Sequence, residues 1–299
     1  MSRYSEAIKK VFRGVVLQQE PLSLHTSLKV GGPADIFAIP RDSEDLKQLV
    51  KVLDEQQVPR IVIGGGYNLL VRDGGFRGAV ISLENINHLA VRQVGQIHAE
   101  AGGRTIDLAR LAEVHGLSGL EFLVGIPGTI GGALRMNAGA HGSEIFDHLV
   151  SLELLGDDGL LTHDKKTLSY GYRRLQLDPN EIIIAANFQL AADSRETISA
   201  AMNACLQKRR DSQQVRFPNA GSFFRNPPGQ AAWRLIDEAG LRGMTVGGAQ
   251  VSEVHANFLV NRGGAKAVDF LHLAAVVKEK VFAASDILLE EEVCVTGED

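Results

Sequence analysis

The sequence predicts an α+β protein with two domains, and three observations support this prediction. The chain has 299 residues, a length typical of about two domains. Hydrophobic residues make up 44% of the chain, enough to bury a sizeable core. Apolar residues spaced three and four positions apart alternate along the chain with short apolar runs, patterns that indicate amphipathic helices and buried strands, respectively.

The distribution of glycine suggests where the domains meet. Residues 31–142 contain 19 of the 32 glycines, whereas the C-terminal part has a more conventional composition. Glycine allows the backbone to approach another backbone or a ligand closely. We therefore expect an N-terminal segment at 1–20, a glycine-rich domain at 21–193 that divides into two subdomains near 84–90, and a C-terminal domain at 194–299.

Five helices can be justified from apolar spacing and end signals, and they lie at 43–57, 105–116, 194–210, 233–240 and 267–284. The first begins at Ser43, a suitable N-cap residue. Gly116 and Gly240 end the second and the fourth, because glycine readily adopts the left-handed conformation found at helix C-termini. In the third helix Cys205 falls on the apolar face, so we expect it in the core rather than at a reactive site.

The strands are predicted from short apolar or alternating runs, at 60–66, 76–83, 181–191, 254–261 and 287–295. The segment 150–163, "VSLELLGDDGLLTH", is predicted as a hairpin, because Asp158-Gly159 is a turn sequence between two apolar runs. Neither internal repeats nor low-complexity segments interrupt this order.

Charge and cysteine content exclude several classes of function. The net charge is -5 and aromatic residues make up 6%, which argues against a nucleic-acid-binding protein. No run of about 18 apolar residues occurs, so we expect no membrane insertion, and the N-terminus has no signal-peptide pattern. The two cysteines, Cys205 and Cys294, are far apart and the histidines form no metal-binding motif, so we expect no metal site and a cytoplasmic location.

Two glycine-rich phrases follow apolar runs, "IGGGYNLLV" at 63–71 and "GIPGTIGGALRMNAGAHG" at 125–142. Loops of this kind can direct consecutive backbone N–H groups toward a phosphate without a lysine. The chain has no P-loop motif, and Leu69 occupies the position of the third glycine in the dinucleotide-binding fingerprint. The phrases are compatible with simple turns at sheet corners or with loops that contact a long, pyrophosphate-containing cofactor.

The phrase "NAGSFFRNP" at 219–227 places a single hydroxyl, that of Ser222, between a glycine and two phenylalanines. Arg225 follows three residues later. A serine in this setting is compatible with a tight turn beside two core phenylalanines.

Five sequence motifs occur in the same order as in one known family, and the chain resembles that family in them. They are "HTSLKVGGPADIFAIP", "IVIGGGYNLLVRDGGFRGAVISL", "GLEFLVGIPGTIGGALRMNAGAHG", "NAGSFFRNP" and "LIDEAGLRGMTVGGAQVSEVHANFLVN". Over about residues 22–297 the chain closely resembles the UDP-N-acetylenolpyruvoylglucosamine reductase family, in its shorter second type. The resemblance implies an FAD-binding unit of the vanillyl-alcohol-oxidase type at 21–193 and a substrate-binding domain at 194–299. It also implies FAD as cofactor, NADPH as reductant and a UDP-sugar enolpyruvyl substrate.

The resemblance implies three catalytic residues. Ser222 matches the serine that donates a proton, and Arg173, in "SYGYRRLQL", matches an arginine suited to the substrate carboxylate. Arg174 is the neighbouring alternative, for which we expect a surface position. Glu292 matches the glutamate before valine, although strand alternation alone favours Glu291. The choice among the three adjacent acids at 290–292 therefore stays open.

The binding residues implied by the resemblance form two groups. For the flavin they are Gly64, Gly65, Gly66, Tyr67, Asn68, Leu69, Gly125, Ile126, Gly128, Gly132 and Asn137. For the substrate they are Arg225, Asn226, Arg210 and Arg216, with Arg209 as a further candidate for the phosphates. The last three arginines are equally compatible with a basic helix end and a solvated loop.

Three functions compete at this stage. The first is NADPH-dependent reduction of an enolpyruvyl double bond by a flavoprotein. The second is an FAD oxidase of the same fold that acts on an alcohol or a sugar lactone. The third is a flavin or nucleotide-sugar binding module without catalysis. We expect a monomer, and the sequence does not distinguish NADPH from NADH.

Overall fold

The computed structural model describes residues 5–93 and 95–299. Contacts divide the chain into two compact units, each made of three segments. Unit 1 comprises Met1–Leu17, Phe37–Gly65 and Ala79–Arg209, and unit 2 comprises Gln18–Ile36, Gly66–Gly78 and Arg210–Asp299. This is a division by contacts, and the functional boundaries at 20/21 and 193/194 stay a prediction.

The helices occur in both units. They are α1 (Ser5–Val11), α2 (Ser43–Glu55), α3 (Thr105–Val114), α4 (Ile130–Arg135), α5 (Arg195–Gln213), α6 (Ala232–Glu238) and α7 (Ala267–Ser285). Short 3-10 turns lie at Leu22–Leu24, Glu121–Gly125, Ile145–His148 and Lys165–Thr167. Within the described ranges, no helix has the length and apolar character needed to cross a membrane.

The strands of the first half are β1 (Val15–Pro21), β2 (Pro33–Ile39), β3 (Arg60–Ile63), β4 (Leu69–Val71), β5 (Phe76–Ser82), β6 (Leu89–Val91), β7 (Gln96–Glu100), β8 (Leu117–Ser118), β9 (Gly139–Ala140) and β10 (Ser143–Glu144). Those of the second half are β11 (Leu149–Gly156), β12 (Gly159–Asp164), β13 (Ser169–Gly171), β14 (Arg174–Gln176), β15 (Ile182–Gln189), β16 (Ala191–Ala192), β17 (Asn219–Ser222), β18 (Thr245–Val246), β19 (Ala249–Val251), β20 (Phe258–Asn261) and β21 (Cys294–Thr296).

Unit 1 contains an antiparallel sheet with the strand order β12-β11-β15-β7-β6. It also contains the parallel pair β3–β5, in which Arg60 to Ile63 lie opposite Ala79 to Ser82. The predicted hairpin is confirmed: β11 and β12 pair from Ser151 and Asp164 down to the turn after Gly156. Strand β15 is buried along most of its length, as expected for a central strand with helices or loops on its faces.

Unit 2 is built on an antiparallel sheet with the strand order β17-β20-β19-β18. One face of this sheet packs on α7, and a core cluster joins Leu259 and Val251 of the sheet to Phe270 and Leu273 of the helix. Asp73 accepts hydrogen bonds from the first N–H groups of α7, at 2.9 and 3.0 Å. These groups have no partner inside the helix, so a carboxylate at this end stabilises α7.

Three local predictions need correction. The N-cap of α2 is Asp42, whose carboxylate accepts from Asp45 N, rather than Ser43. The predicted strand at 254–261 is regular only over β20, because Phe258 N donates to His255 O and closes a turn. Cys205 is half-buried rather than in the core. Burial raises the pKa of the Cys205 thiol, which agrees with an unreactive cysteine.

The predicted final strand at 287–295 is also shorter than expected, because only β21 forms a ladder, parallel to β4. The preceding segment forms a single antiparallel bridge, between Glu291 and Phe224. Instead of pairing with a strand, its backbone hydrogen-bonds to Phe223 and Arg225, in the loop after β17, and to the side-chain amide of Asn68. This irregular segment carries the three adjacent glutamates, so simple strand alternation does not apply to them.

Candidate functional site

Ser222 is the last residue of β17, and a β-bulge determines where it points. Ser222 lies opposite Phe258 and Asn219 lies opposite Val260, so β17 has one residue more than β20 between these pairs. The extra residue is accommodated at Gly221, whose φ is +75°. A side chain at this position would meet no neighbouring atom within 4 Å, so the backbone conformation, rather than lack of space, requires glycine.

Asn257 holds the chain immediately after Ser222. Its side chain accepts from Phe224 N at 2.9 Å and donates to Phe224 O at 2.8 Å, while its carbonyl accepts from Phe223 N at 2.7 Å. Phe223 and Phe224 are almost completely buried, and so is Asn257. Asn257 was not among the predicted site residues, although an asparagine between the apolar residues of "HANF" is a signal for a buried amide that binds backbone groups.

Glu292 is brought beside this segment by main-chain hydrogen bonds. Glu292 N donates to Phe223 O, and Arg225 N donates to Glu290 O, both at 2.8 Å. On its other side Glu292 O accepts from the Asn68 side chain at 3.0 Å. The loop of Ser222 and the segment of Glu292 therefore run together, antiparallel, although they are far apart in sequence.

The three adjacent glutamates have different surroundings. Glu291 forms an ion pair with Lys278 of α7, with O–N distances of 3.0 and 3.2 Å. Glu290 is exposed, whereas Glu292 is half-buried. These positions favour Glu292 for a role that needs a carboxylate with a defined environment.

Arg225 and Asn226 follow the two phenylalanines. Nε of Arg225 is buried and has no hydrogen-bond partner among the described residues. A buried donor without a partner is costly, so this arginine is suited to meet a ligand atom. Asn226 is exposed, and its side-chain oxygen caps the start of α6 by accepting from Ala232 N at 3.0 Å.

His255, which lies beside Asn257, has a buried Nδ1 with no hydrogen-bond partner in the described part of the chain. Its ring packs on Phe258 at a centroid distance of 4.5 Å. Burial lowers the pKa of His255 and the Arg242 charge lowers it further. The ring is therefore neutral near pH 7.

Arg173 lies in unit 1, in the two-residue turn that joins β13 to β14. Its φ is +54°, a left-handed conformation that is uncommon for a residue with a side chain. The guanidinium donates to Gly139 O at 2.8 Å and to Asn137 O at 3.4 Å, and it lies 5.0 Å from the ring centroid of Tyr172. These contacts fix the direction of the positive charge.

Asn137 is completely buried and supports the same turn. Its side-chain nitrogen donates to Gly171 O at 3.1 Å and to Glu144 at 2.6 Å, and its oxygen accepts from Phe146 N. Its predicted contact with the flavin stays a prediction. Next to Arg173, Arg174 is exposed, as expected, and Leu175 is buried.

A cavity of about 440 Å³ lies in unit 1, within the size range of ligand pockets. The two predicted glycine loops contribute Gly64, Gly65, Thr129, Gly131 and Gly132 to its lining. Apolar side chains line it as well, among them Ile61, Ile63, Leu83 and Ile183. The charged residues of the lining are Arg60, Arg135, Glu84, Asp178 and Glu181.

The two glycine loops touch each other at this cavity. A Cβ added to Gly64 would overlap Oγ1 of Thr129, and that oxygen caps α4 by accepting from Gly132 N. Peptide groups rather than side chains therefore form this part of the wall. Backbone N–H groups of such loops bind phosphates, so these residues fit the pyrophosphate-containing cofactor that the resemblance implies. Thr129 was missed, although a threonine ahead of "IGG" is a recognisable N-cap signal.

The other predicted binding residues are distributed as follows. Gly125, Ile126 and Gly128 lie in unit 1, where Gly125 O accepts from Arg209, and Ile126 O accepts from Thr105. Gly66, Tyr67, Asn68 and Leu69 belong to unit 2, as do Arg210 and Arg216, which are exposed. Among the residues described, no group of three or more His, Cys, Asp or Glu is placed to hold a metal ion.

Two family models match the chain. The model for the C-terminal domain of UDP-N-acetylenolpyruvoylglucosamine reductase matches residues 213–296. The model for an FAD binding domain matches residues 34–164. Together they cover Ser222, Glu292 and both glycine loops.

Whole-length relatives agree with these models. UDP-N-acetylenolpyruvoylglucosamine reductase of Geotalea uraniireducens is 55% identical over 96% of each chain, and that of Geobacter sulfurreducens is 52% identical over 99% of each chain. The crystal structure of the reductase from Thermus caldophilus matches with a TM-score of 0.82 and 36% identity, covering 95% of this chain and 98% of that one.

The fold extends to more distant proteins. An alkyldihydroxyacetonephosphate synthase structure matches 63% of this chain and 40% of its own, with a TM-score of 0.50 and 20% identity, which shows a shared fold alone. The predicted α+β class with a flavin-binding unit of the vanillyl-alcohol-oxidase type is confirmed. On the strength of the full-length matches, the chain belongs to the UDP-N-acetylenolpyruvoylglucosamine reductase family.

Proposed function

We propose that this chain reduces the enolpyruvyl group of UDP-N-acetylglucosamine enolpyruvate to give UDP-N-acetylmuramate, a peptidoglycan precursor, with FAD as cofactor and NADPH as reductant. Besides family membership, one structural observation supports the proposal. The main chain of 223–225 pairs with that of 290–292. This pairing holds the hydroxyl of Ser222, the cation of Arg225 and the carboxylate of Glu292 on adjoining segments of one unit.

The reaction requires a hydride, which no protein side chain can supply, so it must come from the cofactor. Bound FAD provides the hydride, taken from NADPH, that saturates one carbon of the double bond. In unit 1, the contacting glycine loops at Gly64 and Thr129 and the cavity beside them would hold it through backbone groups. The remaining steps, binding the carboxylate and delivering a proton, require residues of the chain.

Ser222 is proposed to donate the proton to the carbon next to the substrate carboxylate. The bulge at Gly221 sets the direction of the hydroxyl, and the Asn257 clamp keeps it there. Buried Phe223 and Phe224 exclude water on one side. A serine hydroxyl is a weak acid, so a nearby cation must assist. Arg225, whose buried Nε has no hydrogen-bond partner in the described ranges, is suited to that role and to substrate binding.

Arg173 is proposed to bind the enolpyruvyl carboxylate and to stabilise the negative charge that develops when hydride arrives. A planar guanidinium can contact both carboxylate oxygens. Its strained backbone and its bonds to Gly139 and Asn137 support this role, because a preoriented charge stabilises a transition state without reorganising. Asn226, Arg210 and Arg216 stay proposed contacts of the substrate.

Glu292 is proposed as the functional acid of the three, positioning or relaying the proton. Glu292→Gln should lower kcat by about 10²-fold, a typical contribution of acid–base catalysis, while NADPH still reduces the flavin. Glu290→Gln is the matched control and should leave turnover unchanged. Glu291→Gln should lower stability by about 0.2–1 kcal/mol through loss of the Lys278 pair, with kcat retained. Steady-state kinetics and thermal unfolding of all three variants provide the test. A normal kcat for Glu292→Gln would refute the assignment.

An anaerobic pair of half-reactions tests the function as a whole. The purified protein should be yellow, should bleach with NADPH and should recolour when the enolpyruvyl UDP-sugar is added. An FAD oxidase would also be yellow but would neither bleach with NADPH nor respond to the UDP-sugar, and a binding module would not turn over. Repeating the first step with NADH measures the preference for NADPH.

We further propose that the chain acts as a monomer in the cytoplasm. Each proposed catalytic residue is supplied by one chain, and no step calls for a second copy. The substrate and NADPH are intracellular metabolites. The two cysteines of the chain, far apart in sequence, fit a reducing compartment.

A further inference from the structure

Asn137 lies just after α4, in the left-handed turn that ends this helix. Its φ is +40°, its N–H donates to Leu134 O, and the N–H of Ala138 donates to Ala133 O, the two hydrogen bonds of a Schellman motif. The end of α2 has the same pattern around Gln57, whose φ is +52° and whose side chain is exposed. The motif by itself therefore does not require a buried side chain, yet Asn137 is completely buried.

The side-chain amide of Asn137 is bound on all sides by groups of unit 1. Its nitrogen donates to a carboxylate oxygen of Glu144 at 2.6 Å and to Gly171 O at 3.1 Å. Its oxygen accepts from Phe146 N at 3.3 Å. An amide has two donor hydrogens, and both are used in these contacts. A buried amide whose hydrogen bonds are all made is a rigid support for the segments that it joins.

Two contacts of Asn137 reach the turn that carries Arg173. The amide holds the carbonyl of Gly171, two residues before Arg173. The guanidinium of Arg173 donates to the carbonyl of Asn137 and, more closely, to that of Gly139. Gly139 is also the ladder partner of Glu144, which binds the amide. Asn137 therefore contacts both the backbone of the turn and its charged end.

We propose that Asn137, held by Glu144, is a positioning residue that fixes the direction of the Arg173 guanidinium, an inference that rests on the proposed function. Arg173 has a φ of +54°, and a residue with a side chain keeps this conformation only where its surroundings impose it. Without the amide, Gly171 O loses a donor and the turn can relax. A displacement of about 1 Å at a group that binds the reacting charge can lower a rate about 10²-fold.

The test uses the FAD-loaded enzyme with Asn137→Gly, because glycine keeps the left-handed turn and removes the amide. Oxidation of the reduced flavin by the enolpyruvyl UDP-sugar is expected to slow about 10–10²-fold. Reduction of the flavin by NADPH, which loss of a flavin contact would affect, should be normal. Gln57→Gly is the matched control: it makes the same backbone change in the same motif at an exposed residue, and its rates should equal those of the wild type.

A double-mutant cycle with Arg173→Gln separates positioning from general support of the fold. If Asn137 acts through Arg173, Asn137→Gly should cause no further slowing in the Arg173→Gln enzyme, whereas a merely structural role predicts the same slowing in both backgrounds. Glu144→Ala removes the acceptor of the amide and should show the same coupling. Glu144→Gln keeps an oxygen acceptor and should lose less of the rate. The Glu144 cycle decides the question if Asn137→Gly does not fold.

A second measurement does not depend on turnover. Phenylglyoxal modifies accessible guanidinium groups, and mass spectrometry can follow Arg173 and the exposed Arg174 in the same enzyme. Asn137→Gly should raise the reactivity of Arg173 relative to that of Arg174.

Equal slowing in both backgrounds, slower reduction of the flavin by NADPH, or an unchanged ratio of Arg173 to Arg174 reactivity would each overturn the inference. If the wild-type enzyme reduced no enolpyruvyl UDP-sugar, the proposed function would fail. The reactivity ratio would still decide whether Asn137 holds Arg173.

Discussion

Ser222→Ala should abolish nearly all turnover of the UDP-sugar while leaving the reduction of the flavin by NADPH intact. Only the second half-reaction needs a proton on the carbon next to the carboxylate, so only that step should slow. The expected loss in kcat is about 10²–10⁴-fold, the range for removal of a general acid. Stopped-flow measurements of the two half-reactions, one with NADPH and one with the UDP-sugar added to the reduced enzyme, separate the effects.

The fold should tolerate this substitution. Gly221 and the Asn257 clamp set the local backbone through main-chain geometry and hydrogen bonds that do not involve the hydroxyl of Ser222. FAD content and Tm should therefore match the wild type. Ser285→Ala removes a hydroxyl that donates to Val281 O within α7 at 2.8 Å, and it serves as the matched control. A Ser222→Ala enzyme with normal oxidation of the reduced flavin would disprove the proton-donor role.

Arg173→Gln should cause a comparably large loss, but with a different kinetic signature. The guanidinium is proposed to meet the substrate carboxylate in the ground state and the larger charge in the transition state. Its removal should therefore raise KM and lower kcat, with kcat falling by about 10²–10³-fold, as for loss of one preorganised charge-stabilising group. Arg173→Lys should recover only part of the activity, because an ammonium does not make the bidentate contact.

Arg174→Gln is the control for this prediction. It lies in the same hairpin, one residue further on, and its side chain is exposed, so its kinetics should match the wild type. Because Arg173 has a φ of +54°, the turn itself is strained. Arg173→Gly should retain the fold but not the activity, which separates the charge from the backbone. If Arg174→Gln rather than Arg173→Gln impaired catalysis, the assignment would be reversed.

Local sequence identified several candidate groups of the site, and the roles that the family resemblance implies for them stay a prediction. The glycine-rich segments at 63–71 and 125–142 were compatible with turns at sheet corners or with loops that contact a cofactor, and the structure brings parts of both to one cavity. Ser222 and Arg225 stood out as polar residues beside two phenylalanines. Of the positions that were missed, Thr129 had a local N-cap signal, since it accepts from Gly132 N three residues on. Asn257 binds the backbone of Phe224 in a distant segment, and its neighbours in sequence do not identify that partner.

The three glutamates illustrate where local reasoning stops. Alternation along a regular strand favoured Glu291, but the segment forms only one bridge, with Phe224. Lys278 lies 13 residues before Glu291 and neutralises it. Side-chain direction follows a period of two only where a ladder keeps the strand regular. Where the main chain pairs irregularly, as at 290–292, side-chain directions do not alternate. The neighbouring groups, such as Lys278 beside Glu291, then determine which glutamate is engaged in an ion pair.

The sequence by itself determined the chemical groups of this protein, the order of most helices and strands, and the family resemblance, because these depend on residue types and on short-range spacing. The tertiary structure alone decided that residues 223–225 and 290–292 run side by side, and that a bulge at Gly221 puts Ser222 on the same sheet face as Asn219. It also paired Phe217 with Arg262, 45 positions apart in the numbering. The physical reason is that hydrogen bonds and stacking join residues that are close in space. The spacing of residues along the sequence does not identify which distant segment provides the hydrogen-bond or stacking partner.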